Sequence, residues 1–581
     1  MTAITPGQET IALDGTRKAR GNLTGARIRW AMVFVLLVFS VMFGRLIWLG
    51  NVDVDTTIEG QTRDAIMASR PAILDRNGLE MAVDIRVPSL FAEPRRIIDV
   101  DEAADAIRTV LPELDPVWLR NRLTGDKGFV WVSRELTPAQ RDRIMRLGIP
   151  GLDFLEESRR FYPGGSVASH LLGAVNIDNV GIAGVEKYLD DDNLALLQNL
   201  GLARDQELTP VNLAIDLRVQ HILHDEPVDS LERYRAIAAA GAIMDVNTGE
   251  VIALASLPDF DPNNPATMLQ EGHFNRITAA KFEVGSTFKT ITLAGALDSG
   301  AVRITDPIDA RFGVRFGRYT ISDFHGKYRI LSVPEVYQYS SNIGTIKIMQ
   351  AMGKDNFRAF VTRMGFEGRP VIELPELTAS AIPETFSEVG AATASFGHGL
   401  SVTPMHMLRA TSALVNGGTL VEPTLFPRTE AEAMASGPRV VSEQTSDYMR
   451  YLMRLNALEG SGSRANAIAK GYRWGGKTGT AEKVVDGRYS SEKSLALFVS
   501  AFPLDDPQYA MIILVDEPRA ENAQSGRTAG WNAGEMSGRI VTRIAPMLGI
   551  PPNLDPLIDT RLVPPELRLG MQQAPGSELG L

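Results

Sequence analysis

Ser286 and Lys289 stand three residues apart in the run KFEVGSTFKTITLAGAL, residues 281–297, at what the pattern predicts is the first turn of a helix. Residues i and i+3 share a helix face, so a hydroxyl and an amine would rise side by side. A serine hydroxyl is nearly inert at neutral pH and needs a base. A lysine can be that base only if burial or a nearby positive charge lowers its pKa. The helix N-terminus would help hold the negative charge that develops during acyl transfer. Gly285 permits a tight entry, and Phe288, Ile291, Ala294 and Leu297 keep a three-residue beat that would seat the helix against a core. Ser299-Gly300 reads as its stop.

Ser-x-x-Lys alone is a weak signal, because a polar helix start gives the same letters. Two further stretches follow in chain order. Tyr339-Ser340-Ser341-Asn342 sets a hydroxyl and an amide two residues apart. Gly475-Gly476-Lys477-Thr478-Gly479-Thr480 offers an ammonium and two hydroxyls around a glycine, in what reads as an edge strand. Singly, these are a solvated loop and a glycine-rich turn. Ser-x-x-Lys, Ser-x-Asn and Lys-Thr-Gly in this order are the signature set of the penicillin-binding protein and serine β-lactamase superfamily, which the chain resembles.

The elements that must position these groups are set by length and composition. A chain of 581 residues, 44% hydrophobic, is globular and has room for about three to four units. A net charge of −11 argues against a nucleic-acid partner. The absence of cysteine excludes disulfides, thiolate catalysis and Cys-based zinc sites. The seven histidines show no HExxH or other metal spacing, and His398, in Phe396-Gly397-His398-Gly399-Leu400, is the only one in a glycine-rich context that could line the site. The chemistry calls for no metal and no cofactor.

Residues 1–29 are polar and basic, and Trp30–Leu49 is an almost wholly apolar run of 20 residues, which as a helix would span about 30 Å. Arg45 lies near its far end, where its stem can snorkel, and Trp30 and Trp48 sit where interface anchors belong. Basic residues precede the run and Asp53, Asp55 and Glu59 follow it, so the positive-inside rule places the N-terminus in the cytoplasm and the rest outside. A cleavable signal peptide is the competing reading. The run is longer than an h-region and no small-x-small site follows it, which favours an uncleaved anchor.

Residues from about 51 to 216 mix short strands with helices at 101–110 and 137–147, and Asp75-Arg76-Asn77-Gly78 reads as a turn. Strands at 240–246 and 250–256 join at Asn247-Thr248-Gly249. Asp245, Asn247 and Glu250 fail the EF-hand spacing, so this is a hairpin rather than a calcium loop. Helices are expected at 343–364, 403–415 and 534–548, and strands at 494–501 and 508–515. From Pro551 the chain loses periodicity and reads as a loosely held tail.

Several further stretches are similar to those of class B penicillin-binding proteins: Arg70–Ala82, Arg160–Glu186, Val211–Asp216, the DVNTGEVIALAS hairpin, Gly399–Pro404 and Leu514–Pro518. The resemblance implies an α/β (α+β) chain: a single N-terminal transmembrane helix, an elongated mixed pedestal domain (50–225), a transpeptidase domain (226–552) with a central antiparallel sheet flanked by helices, and a flexible tail (553–581). It further implies a serine D,D-transpeptidase that cross-links peptidoglycan stem peptides ending in D-Ala-D-Ala. In that scheme Ser286 is the nucleophile, Lys289 the base, Ser340 and Asn342 the proton relay and amide holder, and Lys477 with Thr478, Gly479 and Thr480 the carboxylate and backbone site. β-Lactams would be covalent inhibitors, and a SEDS-type lipid II glycosyltransferase and other division proteins would be partners at the inner membrane of the septum.

The details of the three motifs look more like the septal, FtsI-like branch than the elongation branch. Val284 stands where the family usually has Pro, and Pro71 where it usually has Gly. Rival readings are an elongation-type class B enzyme, a carboxypeptidase or β-lactamase working through the same acyl-enzyme, and a catalytically silent division scaffold.

Overall fold

The computed structural model describes residues 30, 32–43, 69–191, 209–485, 488–555 and 557–572. They fall into two units, the first within residues 1–67 and the second within 68–581. In the first, residues 32–43 are helical with their apolar side chains exposed. Among the described residues no helix is long and apolar enough to cross a membrane. The predicted basic tail at 1–29, the end of the predicted anchor at 44–49 and the acidic flank at Asp53, Asp55 and Glu59 lie outside the described residues.

The second unit opens with strands β1 (Ile73–Leu74) and β2 (Glu80–Ala92), joined by the predicted Asp75–Gly78 turn. Asp75 closes that turn by accepting from the Asn77 and Leu79 N–H groups, both at 2.8 Å. Helix α1 (Val100–Val110) and strands β3 (Val130–Ser133) and β4 (Leu152–Phe161) follow, then helix α2 (Gly184–Leu189) and strand β5 (Val211–Asn212). The sheet order is β3-β2-β1-β5, with β4 also paired to β2.

Four charged groups, three of them at the ends of the family-like stretches Arg70–Ala82 and Arg160–Glu186, meet inside this part. Arg160 Nε donates to Glu186 at 2.6 Å and its NH1 to Asp84 at 3.0 Å, while Arg70 Nε donates to the other oxygen of Glu186 at 3.0 Å. The side chains of Arg160 and Glu186 are fully buried, and each charge is tolerated through its partners in this cluster.

Asp216 caps helix α3 (Leu217–Tyr234) by accepting from the Arg218 N–H. The helix runs through residue 225, where the sequence placed a domain boundary. Strands β6 (Ala238–Asp245) and β7 (Val251–Leu257) form the predicted hairpin, with Asp245 accepting from the Asn247 and Thr248 N–H groups at its turn.

After a 3₁₀ turn at Gly285–Phe288 comes helix α4 (Lys289–Asp298). Next is an excursion of short strands: β8 (Pro307–Asp309), β9 (Val314–Phe316), β10 (Tyr319–Ile321) and β11 (Ile330–Ser332). Helices α5 (Val333–Gln338), α6 (Asn342–Met352), α7 (Pro404–Val415) and α8 (Glu443–Glu459) lead to strands β12 (Gly475–Val485), β13 (Arg488–Phe502) and β14 (Tyr509–Asp516). Helix α9 (Ala533–Ile544) closes the sheet.

The central sheet runs β12-β13-β14-β6-β7, antiparallel throughout, with β12 at the edge as predicted. Alternation along a strand sends its side chains to two cores. On β14, Met511, Ile513 and Val515 meet Leu223 of α3 and Ile540 of α9. Ala510, Ile512 and Leu514 join the larger core with Ile291 of α4 and Leu414 of α7.

The tail departs from expectation. Helices α10 (Leu557–Leu562) and α11 (Pro565–Gln572) follow Pro551, and Arg454 of α8 holds Asp559 at 2.7 Å. Tyr448 donates to Glu566 at 2.8 Å. A segment without its own periodicity is held there by polar partners far away in sequence; residues 573–581 lie outside the described residues.

Candidate active site

Ser286 sits in the 3₁₀ turn that runs straight into α4 at Lys289. Gly285 has φ +52, a conformation most side chains avoid, and a Cβ there would come within 2.8 Å of the Thr480 carbonyl oxygen. A Cβ on Gly479 would come within 2.4 Å of the Val284 oxygen and 3.0 Å of the Thr287 nitrogen. The edge strand β12 therefore lies backbone to backbone on the turn that carries Ser286. Val284, standing in place of the usual proline, is buried, and its carbonyl accepts from Thr287 Oγ1 at 2.7 Å.

Helix α4 differs from the sequence reading in one respect. The beat of Phe288, Ile291, Ala294 and Leu297 marks an apolar face, but every residue from Lys289 to Leu297 is buried. The polar ones are satisfied inside the core. Thr290 shares a hydrogen bond with the Tyr337 hydroxyl at 3.1 Å, and Thr292 donates to the Ser395 carbonyl at 2.7 Å.

Lys289 is 0% exposed. Its three ammonium donors meet three acceptors: the Ser340 carbonyl at 2.5 Å, Ser340 Oγ at 3.1 Å and Asn342 Oδ1 at 2.7 Å. Burial, followed by the positive charge of Lys477, pushes its pKa well below the ordinary lysine value. Lys477, also 0% exposed, donates to Ser340 Oγ at 3.0 Å and to the Thr478 carbonyl at 3.2 Å. Burial lowers its pKa to about 7.

Ser340 reaches this position through φ +55, the left-handed region that a serine seldom occupies. Next to it, Ser341 caps α6 through the Gly344 N–H and donates to Asp323 at 2.7 Å, and Asp323 also accepts from the Ile343 N–H at 2.9 Å. Asn342 opens α6, with its amide nitrogen toward the Ser322 carbonyl at 3.4 Å.

On β12 successive side chains diverge. Lys477 turns to Ser340, whereas Thr478 shares a hydrogen bond with Ser461 at 2.5 Å and Thr480 accepts from the Ala529 N–H at 3.1 Å. Asn456 of α8 ties Ser461 to this strand by donating to the Gly476 carbonyl at 2.7 Å and accepting from the Ser461 N–H at 3.1 Å. Beyond Thr480 a cavity of about 220 Å³ opens, lined by Phe282, Glu283, Ser401, Ala481, Glu482 and Lys483 among others. Glu283 is held there by the Gly399 N–H at 2.8 Å and the Tyr489 hydroxyl at 3.2 Å.

The structure thus gathers Lys289, Ser340, Asn342 and Lys477 at one point and lays Thr478, Gly479 and Thr480 on the strand beside Ser286. His398 packs its ring on Phe396 and Tyr489, and burial lowers its pKa. Sequence reasoning missed Asp323, Ser461, Asn456 and Glu283. The first three are isolated polar residues with no motif around them. Glu283 was legible only as a neighbour of Ser286.

A buried lysine pair thus shares one serine hydroxyl, with a second serine in the turn packed under the edge strand. The family model for the penicillin binding protein transpeptidase domain matches residues 239–533, and that for the penicillin-binding protein dimerisation domain matches residues 65–193. The chain belongs to the penicillin-binding protein transpeptidase family, within its class B, FtsI-like peptidoglycan D,D-transpeptidases.

It is 36% identical over 499 residues to the probable peptidoglycan D,D-transpeptidase FtsI of Caulobacter vibrioides, covering 84% of this chain and 83% of that one. It is 30% identical over 535 residues to the peptidoglycan D,D-transpeptidase FtsI of Escherichia coli K12, covering 87% and 90%. In solved structures the fold is similar to penicillin binding protein 3 of Mycobacterium tuberculosis complexed with aztreonam. That match has a TM-score of 0.64 at 22% identity, covering 84% of this chain and 97% of that one.

Proposed function

We propose that this chain cross-links peptidoglycan through an acyl-enzyme on Ser286, in septal wall synthesis. The observation that carries the reading is the Lys289–Ser340–Lys477 cluster beside Ser286. Two buried ammonium groups on one hydroxyl disfavour full protonation of the pair, so a neutral lysine exists near neutral pH.

Neutral Lys289 takes the Ser286 proton as Oγ attacks the carbonyl between the two terminal D-alanines. The N–H groups of Ser286 and Thr480 hold the oxyanion, each contributing roughly 3 kcal/mol. The C–N bond breaks, Ser340 passes a proton to the leaving amine, and D-alanine departs. The amine of a second stem peptide then attacks the ester, gives up a proton through the same relay and releases Ser286. Lys477 and Thr478 receive the terminal carboxylate, and Asn342 holds the substrate amide. The groove leading past Glu283 suits the rest of the donor stem.

Residues 30–49 serve as the membrane anchor, with 1–29 cytoplasmic, the pedestal (from about 50) and the transpeptidase domain outside the inner membrane, and a SEDS-type glycosyltransferase as neighbour. The basic-then-acidic flanks of the apolar run support that orientation.

Intact-mass spectrometry of the full-length chain with benzylpenicillin tests the chemistry. One stable penicilloyl adduct on the parent and none on Ser286→Ala is the expected result. Consumption of penicillin without an adduct makes the chain a hydrolase, and neither adduct nor consumption makes it a scaffold. For the septal role, a tagged copy that lights the sidewall evenly, without midcell enrichment, overturns the assignment.

A further inference from the structure

Between the helix that follows Ser286 and the turn that carries Ser340, the chain makes an excursion over residues 309–330. Its composition is unlike that of the whole. It holds Arg311, Arg315, Arg318, Lys327 and Arg329 against Asp309 and Asp323 alone, in a chain of net charge −11. It also exposes four aromatic rings to solvent: Phe312 at 75%, Tyr319 at 63%, Phe324 at 82% and Tyr328 at 62%. Single exposed apolar residues need no explanation, but such a concentration on one short excursion marks an interaction surface.

Two features say what covers it. The first is charge. Among the described residues Arg315, Arg318 and Lys327 have no carboxylate partner, whereas Arg311 is spent on Asp309 and Arg329 on Glu335. The partner is therefore anionic. The Arg311 and Arg318 guanidinium groups lie 5.8 and 5.4 Å from the Phe312 and Tyr319 ring centroids, so cations and ring faces are offered together.

The second is position. Asp323 of the excursion pins Ser341 and the Ile343 N–H, Lys327 sits 4.7 Å above the Tyr339 ring, and the Ser322 carbonyl faces Asn342. These contacts join the excursion to the turn that carries Ser340.

We infer that the excursion is a docking surface for the polymeric substrate, a glycan strand bearing peptides that end in carboxylates. Pyranose rings present a face of C–H bonds that stacks on aromatic rings, and the stem carboxylates pair with the unpartnered cations. The inference rests on the transpeptidase reading of the site. It adds that the enzyme grips the strand and not only the peptide.

The test is pelleting of the full-length chain, in detergent, with isolated sacculi. The combined Phe312→Ser, Tyr319→Ser, Phe324→Ser and Tyr328→Ser variant should lose about tenfold or more in sacculus binding. Its benzylpenicillin acylation rate, which also reports folding, should stay within about twofold of the parent. The combined Arg315→Gln, Arg318→Gln and Lys327→Gln variant should bind less tightly and with a shallower salt dependence. Unchanged pelleting of both variants overturns the inference. So does loss of binding to phosphatidylglycerol vesicles with sacculus binding intact, which would make the surface a lipid contact. A parent that no penicillin acylates defeats the transpeptidase reading instead, and the pelleting comparison is scored separately from it.

Discussion

Lys289 and Lys477 place their ammonium groups on the same hydroxyl, that of Ser340, at 3.1 and 3.0 Å. Two like charges converging in a buried space make that space costly to fill with protons, and this is the condition under which a lysine becomes a base.

The cost has a pH signature. Burial takes Lys477 to about 7 from the ordinary 10.5, so between those values the folded chain has lost a proton that the unfolded chain still holds. Stability therefore rises with pH across that window, by up to about 1.4 kcal/mol per pH unit from this group. Urea unfolding of the parent and of Lys477→Met at pH 7 and pH 9 should show the rise in the parent and a smaller one in the variant, which also loses penicillin acylation.

Ser340 offers a way to separate backbone from hydroxyl. Its φ of +55 suits glycine, so Ser340→Gly should be about 1 kcal/mol more stable than Ser340→Ala, which keeps the strain. Both variants lack the shared hydroxyl and should acylate about a hundredfold more slowly. Thermal melts beside stopped-flow acylation check the pair, and a fast Ser340→Gly would remove the hydroxyl from the mechanism.

At Gly479 there is no room for a methyl group, since the Val284 oxygen would be 2.4 Å away. Gly479→Ala should push β12 off the Ser286 turn, at about 1–3 kcal/mol in stability and about a hundredfold in acylation rate. Wild-type acylation in this variant would mean that the strand and the turn move independently.

In the pedestal, Glu186→Ala leaves Arg70 and Arg160 buried without their shared carboxylate. A loss of about 3–5 kcal/mol in unfolding free energy is expected. Penicillin acylation per folded molecule should be unaffected, which a titration of active sites against total protein will read.

What was legible in the sequence is what local chemistry dictates. The Ser286 turn, the β6–β7 hairpin and the edge position of β12 follow from spacing, turn residues and alternation. What was not legible depends on partners brought together by the fold. Nothing near Asp323 says that it will pin Ser341, and a serine at 340 carries no mark of a left-handed backbone. Arg70 and Glu186 are 116 residues apart, and nothing local in either stretch pairs them before the sheet and α2 bring them together. The same holds for Asp559, whose partner Arg454 lies 105 residues away.

The sheet ends at β12, and that has a further consequence. An edge strand carries an open row of N–H and C=O groups that would ordinarily invite association with other chains. Here the row is guarded on one flank by the Ser286 turn. On the proposed chemistry the stem peptide is the absent sixth strand, recruited for one turnover and then released. Recognition of this kind draws its affinity from main-chain hydrogen bonds and leaves the choice of peptide to pockets for alternate side chains.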